Sequence, residues 1–299
     1  MEKNKSKKQR KQSKLFTKLY FKITYWKKLT VALLNDLKTK DPKRAIPIWH
    51  VLEIELQSDC NRDCHFCPRH EDRSGIRKDK DGKHIRKSMP TWKVKEILDQ
   101  AAKLNYKGPI GFHRLSEPFL DKRYVEIATY AKKKGLMISE YSNGDVLKKR
   151  PDLIKKIDGL IDKITIGLYD YKNTKEKNEE INFWRNQFKK TKVEFSLANE
   201  FPVIRQNSDL YDKEIISNVI NNRCFGTMGL RIRYDGEVSL CCEDDQCNFN
   251  FGNVFNSTIE EIWWSEKHVK IVKSLRKPGG RKLYPLCKKC AMVLPVSMG

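Results

Sequence analysis

The sequence predicts an α/β fold: a parallel β-sheet with crossover helices, open or partly closed as a barrel, followed by a smaller α+β region. Three observations carry that expectation. Between residues 51 and 199, short apolar runs alternate with amphipathic segments of helical period. From about residue 216 the alternation gives way to a hairpin signal and a well-capped helix. The nine cysteines follow the same division, three within residues 60–67 and six beyond residue 216.

The elements follow in order. VLEIELQ (51–57) reads as a buried strand, and TWKVKEILDQAAKLNY (91–106) as an amphipathic helix. PIGFHRL (109–115) is the second strand, and DKRYVEIATYAKKKG (121–135) a helix closed by Gly135. LMISEYS (136–142) precedes a helix over 147–157, and KITIGLY (163–169) precedes a polar helix around 175–190. KVEFSLAN (192–199) is the fifth strand. Such sheets place their chemistry at the carboxyl ends of the strands. LRIRYDGEVSLCC (230–242) reads as two short strands turning at Tyr234-Asp235-Gly236. STIEEIWWSEKHVKIVKSLRKPGG (257–280) reads as one helix, with Ser257 or Thr258 as cap and Pro278-Gly279-Gly280 as stop.

Three segments result: an N-terminal extension 1–45, a main domain 46–215 and a C-terminal domain 216–299. The chain carries a net charge of +23, and its first 49 residues alone hold 15 Lys/Arg against 3 Asp/Glu. This leader interleaves Leu15, Phe16, Tyr20, Tyr25 and Trp26 with lysines. Segments of that kind lie on anionic membrane surfaces or nucleic acid, or dock an apolar stripe on the main domain. The purely apolar run Val31–Leu34 is too short to span a bilayer, and no signal-peptide arrangement is present. The expected location is cytoplasmic, with peripheral membrane contact through the leader as a variant. Nine cysteines in a reducing compartment point to metal or redox chemistry rather than a disulfide framework.

DCNRDCHFCPRH (59–70) places Cys60, Cys64 and Cys67 in the loop leaving the first strand. A four-iron cube is held by four thiolates, so three in one loop leave one iron with an open coordination position. A zinc site would need a fourth ligand, which His65 or His70 would supply. The spacing Cys-x3-Cys-x2-Cys, with Phe66 before the last cysteine, resembles the signature of the radical S-adenosylmethionine (SAM) superfamily. The resemblance implies a partial (β/α) barrel of about five or six parallel strands. It also implies a [4Fe-4S] cluster whose open iron chelates SAM, and reductive cleavage to a deoxyadenosyl radical that abstracts a substrate hydrogen atom. An external electron donor such as flavodoxin or ferredoxin belongs to that chemistry.

LSEPFLD (115–121) stands where the family commonly carries Gly-Gly-Glu-Pro, so Glu117 is the expected acceptor for the SAM amino group, although Leu115 and Ser116 replace the glycines. YSNGDVL (141–147) is similar to a family Thr-Asn-Gly segment and places Asn143 near the ligand; an Asn-Gly turn needing positive φ is the other reading. The C-terminal cysteines resemble the SPASM auxiliary-cluster domain in its shortened twitch form. By that pattern Cys224, Cys241, Cys287 and Cys290 hold one further [4Fe-4S] cluster. A zinc ribbon is the alternative for Cys-x2-Cys with a hairpin.

Cys242 and Cys247 are left over. Family epimerases quench the substrate radical with a cysteine, so either thiol near the substrate would imply epimerisation. Otherwise the auxiliary cluster accepts an electron and the net reaction is dehydrogenation; inert packing is the third reading. Asp170 or Glu200 is expected to take the substrate hydroxyl proton, and His113, Tyr169 and Asn199 lie near strand ends as candidate contacts. His113, two residues inside its expected strand, reads rather as a satisfied core histidine. The long loop 69–88, with eight Lys/Arg against four acids, suits a lid over an anionic substrate or a solvated loop. The compact layout most resembles twitch enzymes acting on sugars and cyclitols. The alternatives are radical modification of a peptide or RNA and, in another class, a zinc-bearing nucleic-acid-binding protein.

Overall fold

The computed structural model describes residues 45–64, 67, 80–83, 86–197, 220–224 and 226–290. The leader, Phe66, His65, His70, most of the loop 69–88, Asn199, Glu200 and the expected domain boundary near 215 lie outside the described residues. The chain divides into two compact units, Met1–Pro47 and Ile48–Gly299, and the description below concerns the second.

Its centre is a seven-stranded sheet in the order β5-β4-β3-β2-β1-β6-β7. The strands are β1 Val51–Ile54, β2 Pro109–Gly111, β3 Met137–Ser142, β4 Lys163–Leu168, β5 Lys192–Leu197, β6 Gly229–Ile232 and β7 Val238–Ser239. β1 to β6 run parallel and only β7 is antiparallel, to β6. Strands β1 to β5 stand in chain order with no reversal, and β6 continues the sheet on the far side of β1. That order belongs to a barrel left open, not to a doubly wound sheet.

Register separates the two faces, because paired residues of neighbouring strands point the same way. Leu52 pairs with Ile110 and Leu230, Ile110 with Ile138, and Ile54 with Ile232, all of them buried. This apolar face is the one helices cover. Helix α1 (Thr91–Lys103) buries Val94, Ile97, Leu98 and Ala101, and α2 (Tyr124–Lys133) buries Tyr124, Ile127, Ala128 and Ala131. The opposite face is polar. There Glu53 pairs with Gly111 and Arg231, Ser139 with Lys163, and Thr165 with Glu194. Its charges neutralise one another in pairs: Arg231 Nε lies 3.0 Å from Glu53, and Lys163 and Lys192 lie 3.3 and 2.7 Å from Glu194.

Three expected elements differ from what forms. The helix expected at 147–157 is two, α3 Asp145–Lys149 and α4 Pro151–Ile157. Pro151 removes an amide donor and drives Arg150 out of helical geometry, to φ −132° and ψ 71°. Helix α5 (Thr174–Gln187) is capped by Asn173, whose side chain accepts from Glu176 N at 3.0 Å. The single helix expected over 257–280 is likewise two. A capping box between Thr258 and Glu261 starts α6 (Ile259–Trp263), and Ser265 caps α7 (Glu266–Leu275). A final short helix, α8 Pro285–Lys288, carries Cys287. The second strand ends at Gly111 and not at Leu115, so His113 lies beyond the strand rather than inside it.

The hairpin forms at Tyr234-Asp235-Gly236, with Gly236 at φ 89°. Its first strand is also the sixth parallel strand, hydrogen-bonded along the whole of β1. The C-terminal cysteines are therefore anchored directly to the edge of the main sheet.

Candidate active site and cluster-binding residues

The loop after β1 is held from both sides. Gln57 Nε2 donates to the carbonyls of Asp59 and Glu117, each at 3.0 Å, and its Oε1 accepts from Asp59 N. Asp59 in turn accepts from Cys60 N at 2.9 Å. Cys60, Cys64 and Cys67 are half-buried, with Cys67 N donating to Cys64 O at 2.8 Å. Burial, reinforced by neighbouring Cys67, pushes the Cys64 thiol above its ordinary pKa despite Arg62.

Arg62, in the middle of this loop, grips Asp145 at the start of α3 through Nε at 2.7 Å and Nη2 at 2.6 Å. Its Nη1 holds Asp170, just past β4, at 2.6 Å. Asn61 adds a bond to Asp145 at 2.9 Å. The cysteine loop is thus fastened to the carboxyl ends of β3 and β4. Asp170, whose side chain is 74% exposed, is engaged in this clasp. Arg62 was not among the expected site residues; a basic side chain between two candidate thiolates was its only signal.

Glu117 is 2% exposed and collects three donors: Phe119 N at 3.3 Å, Ser142 Oγ at 2.9 Å and Asn143 N at 3.0 Å. Burial outweighs those bonds and raises its pKa to about 7. Asn143 Nδ2 donates to Asn61 Oδ1 at 2.9 Å and lies 3.8 Å from Cys60 Sγ. Gly144 follows at φ 80°, and a side chain there would meet the buried ring of Trp184. The turn at Gly144 needs glycine, as the Asn-Gly reading expects, and the same turn brings Asn143 to the cysteine loop. Glu117 and Asn143, both expected to contact SAM, lie together beside Cys60.

Just past β2, His113 Nδ1 sits 2.5 Å from Oε1 of Glu140, a β3 residue on the helix-covered face. Glu140 is fully buried and its other oxygen accepts from Tyr124 Oη at 3.1 Å and Phe112 N at 3.0 Å. His113 Nε2 has no partner among the described residues, and the side chain is 13% exposed. Burial disfavours its charge, but the Glu140 carboxylate beside it prevails and raises the pKa. Burial likewise works against ionised Glu53, yet Arg231, His113 and Arg114 together hold that carboxyl below its ordinary value. Tyr169 folds its ring over Gly167 on the polar face.

The second cysteine group forms where β6, the hairpin and α8 meet. A Cβ built on Gly226 would lie 3.6 Å from Cys241 Cβ and 3.7 Å from Cys224 Sγ, so these two thiols flank one point. Cys241 is pushed well above its ordinary pKa by burial and then by Cys242, Cys224 and Cys290; Cys287 rises to about 12 through burial and then Cys224 and Cys290. Cys224, Cys241, Cys287 and Cys290 therefore feel one another's charge. Among the described residues, no three His, Cys, Asp or Glu side chains close on one point as ligands of a single ion do. Four thiols spread around a wider space are the donor set of an iron–sulfur cube, so the residues present fit that group.

Cys242 Sγ lies 3.9 Å from Glu243 Oε1, and its charge reaches both Cys241 and Arg231 on β6. Cys247 is buried, at φ 55°, against a cleft of about 570 Å3 lined by Arg233, Asp235 and Asn253. Burial outweighs Arg114 and Arg233 and lifts its thiol to about 11.

The comparisons with known proteins agree with this geometry. Residues 54–192 match the model of the radical SAM superfamily, and residues 224–291 match that of the iron–sulfur cluster-binding domain SPASM. The chain is 26% identical over 249 residues to the S-adenosyl-L-methionine-dependent 2-deoxy-scyllo-inosamine dehydrogenase of Niallia circulans, covering 81% of this chain and 93% of that one. A crystal structure of BtrN in complex with AdoMet and 2-DOIA superimposes with a TM-score of 0.63 at 24% identity, over 82% of this chain and 93% of that chain. A structure of anSMEcpe with bound AdoMet gives 0.50 at 15% identity, over 82% and 85%. The cysteine geometry and the two matched domains lead to one conclusion: the chain belongs to the radical SAM superfamily, carries a C-terminal SPASM domain, and has SAM and two iron–sulfur clusters as its cofactors.

Proposed function

We propose that the protein dehydrogenates a secondary alcohol of a polyhydroxylated small molecule, a cyclitol or sugar, using SAM. The observation that carries this reading is the polar sheet face, where Glu53, Thr165, Glu194 and Arg231, with the His113 ring against Gly111, stand in place of the apolar residues an ordinary core would have. A hydroxyl-rich substrate matches such a lining group for group. The Niallia circulans relative, named for oxidation of an aminocyclitol, supports the same class.

In this reading Cys60, Cys64 and Cys67 hold the SAM-binding cluster, and Cys224, Cys241, Cys287 and Cys290 the auxiliary one. Glu117 and Asn143 face SAM. When bound, the cofactors supply the acceptor for the substrate hydrogen atom and the acceptor for one electron. The chain supplies the third component, a proton acceptor. His113 fills that role: Glu140 fixes its Nδ1, leaving Nε2 to take the hydroxyl proton as the carbon–oxygen double bond forms. Loss of one hydrogen atom, one proton and one electron balances the conversion of alcohol to ketone. Reduced flavodoxin or ferredoxin would supply the reducing electron. Cluster assembly on thiolates suits a reducing compartment, and the proposed location is the cytoplasm. No helix among the described residues is long and apolar enough to cross a membrane.

The test is an anaerobic assay with 2-deoxy-scyllo-inosamine and related cyclitols and sugars deuterated at the carbinol carbon. Deuterium in 5′-deoxyadenosine together with a ketone product supports the proposal. Deuterium transfer with an inverted alcohol, abolished by Cys242→Ala or Cys247→Ala, would establish epimerisation in its place.

A further inference from the structure

We propose that Arg281 is the built-in counter-ion of the auxiliary cluster and sets its reduction potential. Arg281 lies in the turn Gly280–Leu283, immediately before the helix that carries Cys287. It is 3% exposed, and neither Nε nor Nη1 has a hydrogen-bond partner among the described residues.

A guanidinium does not lose its proton in a protein, so burial leaves a full positive charge that needs an anion. Two other buried arginines also have unpaired donor atoms, but each meets a carboxylate. Arg231 lies 3.0 Å from Glu53, and Arg114 lies 3.9 Å from Glu55. For Arg281 no carboxylate stands within ion-pair distance among the described residues. Asp244, the nearby acid, is occupied by Leu240 N at 3.0 Å and by Asn248 N and Nδ2 at 2.8 and 3.0 Å.

The turn that holds Arg281 runs directly into the helix carrying Cys287, and the buried guanidinium is the positive charge set against the burial and the neighbouring Cys224 and Cys290 that raise the Cys287 thiol. Four thiolates around an iron–sulfur cube carry the net negative charge that the buried guanidinium lacks. The unpaired Nε and Nη1 are donors of the kind that bond to cluster sulfur. A fixed positive charge there favours the reduced cluster, which is the more negative form, and so holds the potential up.

The inference rests on Cys224, Cys241, Cys287 and Cys290 being the ligands, and the experiment separates the two. In the Cys60→Ala/Cys64→Ala/Cys67→Ala background, which leaves one cluster, iron and sulfide are measured and the cluster is titrated by EPR with Arg281 intact, as Lys and as Met. About four irons per chain with Arg281 intact establishes the ligand set; no iron means that the ligand assignment fails, and with it the inference. Given a loaded cluster, R281M is expected to lower its potential, and R281K to stay close to wild type. An unchanged potential in R281M overturns the proposal. Loss of the cluster from R281M but not from R281K supports a requirement for the charge. Loss from both variants overturns the proposal, because it assigns Arg281 a packing role that charge does not explain.

Discussion

Arg62 and Asp145 form a two-pronged ion pair, Nε to Oδ2 at 2.7 Å and Nη2 to Oδ1 at 2.6 Å, that ties the cysteine loop to the first turn of α3. The hydrogen bonds to Asp145 raise the Arg62 pKa, and those from Arg62 lower that of Asp145, so both stay charged across the working pH range. The pair holds in place the loop that must present three thiolates at once.

Replacing Arg62 by Ala is therefore expected to weaken retention of the SAM-binding cluster without touching the auxiliary one. The pair is partly exposed, so its contribution is put at ~1–2 kcal/mol, or about a tenfold loss of cluster retention. Iron per chain and SAM cleavage in R62A, R62K and D145N measure this. Because Lys cannot reproduce the two-pronged contact, R62K should resemble R62A more than wild type. Full iron content and cleavage in R62A would contradict the clasp.

Glu117 predicts a pH dependence whose sign follows from its burial. Its pKa in the folded protein, about 7, exceeds the ordinary carboxylate value, so the folded state holds a proton that the unfolded chain releases. That contribution is complete below a pH of about 4.3 and is lost as pH rises through about 7, and it amounts to at most ~3.5 kcal/mol. Without SAM, thermal stability should rise on acidification from about pH 8 toward about pH 5.5, and Glu117→Gln should flatten the trend. Equal pH slopes for the two proteins would count against the assignment. SAM binding to the Gln variant should be at least about tenfold weaker, through loss of a charge-assisted contact.

His113→Asn should leave SAM cleavage in place while ketone formation falls by about 10²- to 10⁴-fold. In the wild type the acid limb of the rate profile should lie above the ordinary histidine value, because Glu140 raises the pKa of His113. Glu140→Gln should move that limb to lower pH. Glu53 on β1 also raises the pKa of His113 and Arg231 on β6 opposes it, so Arg231→Met should shift the limb upward. A rate profile unchanged in all three variants would exclude His113 as the base.

Gly144→Ala tests the turn that delivers Asn143. The residue would have to hold φ 80° with its Cβ about 2.5 Å from Trp184 Cζ2. Strain and collision together should destabilise the protein by ~2–3 kcal/mol and weaken SAM binding. Thermal unfolding with and without SAM measures both effects.

Much of the site was legible because its chemistry is local. Cys60, Cys64 and Cys67 fall in one loop, Glu117 sits next to a proline, and Cys287 and Cys290 are separated by two residues. Their meaning depends on side-chain type and backbone spacing, which a linear sequence displays. The βα alternation was legible for the same reason, since apolar period is a local property. Where a break depended on local detail, as at Pro151 and Ser265, the long periodic runs hid it.

Residue type and spacing alone were enough to give the succession of strands and helices, the two cysteine groups and the Glu117-Pro118 pair after the second strand. Folding alone brings β6 against β1, Glu53 to Arg231, Arg62 to Asp145 and Asp170, and Glu140 to His113. These partners are far apart in the chain, and each looks like an ordinary surface or core residue in its own neighbourhood. Bringing them together costs loop-closure entropy, which is offset by pairing and burial over the whole sheet. No local pattern records which distant residues share that compensation; the register between the paired strands does.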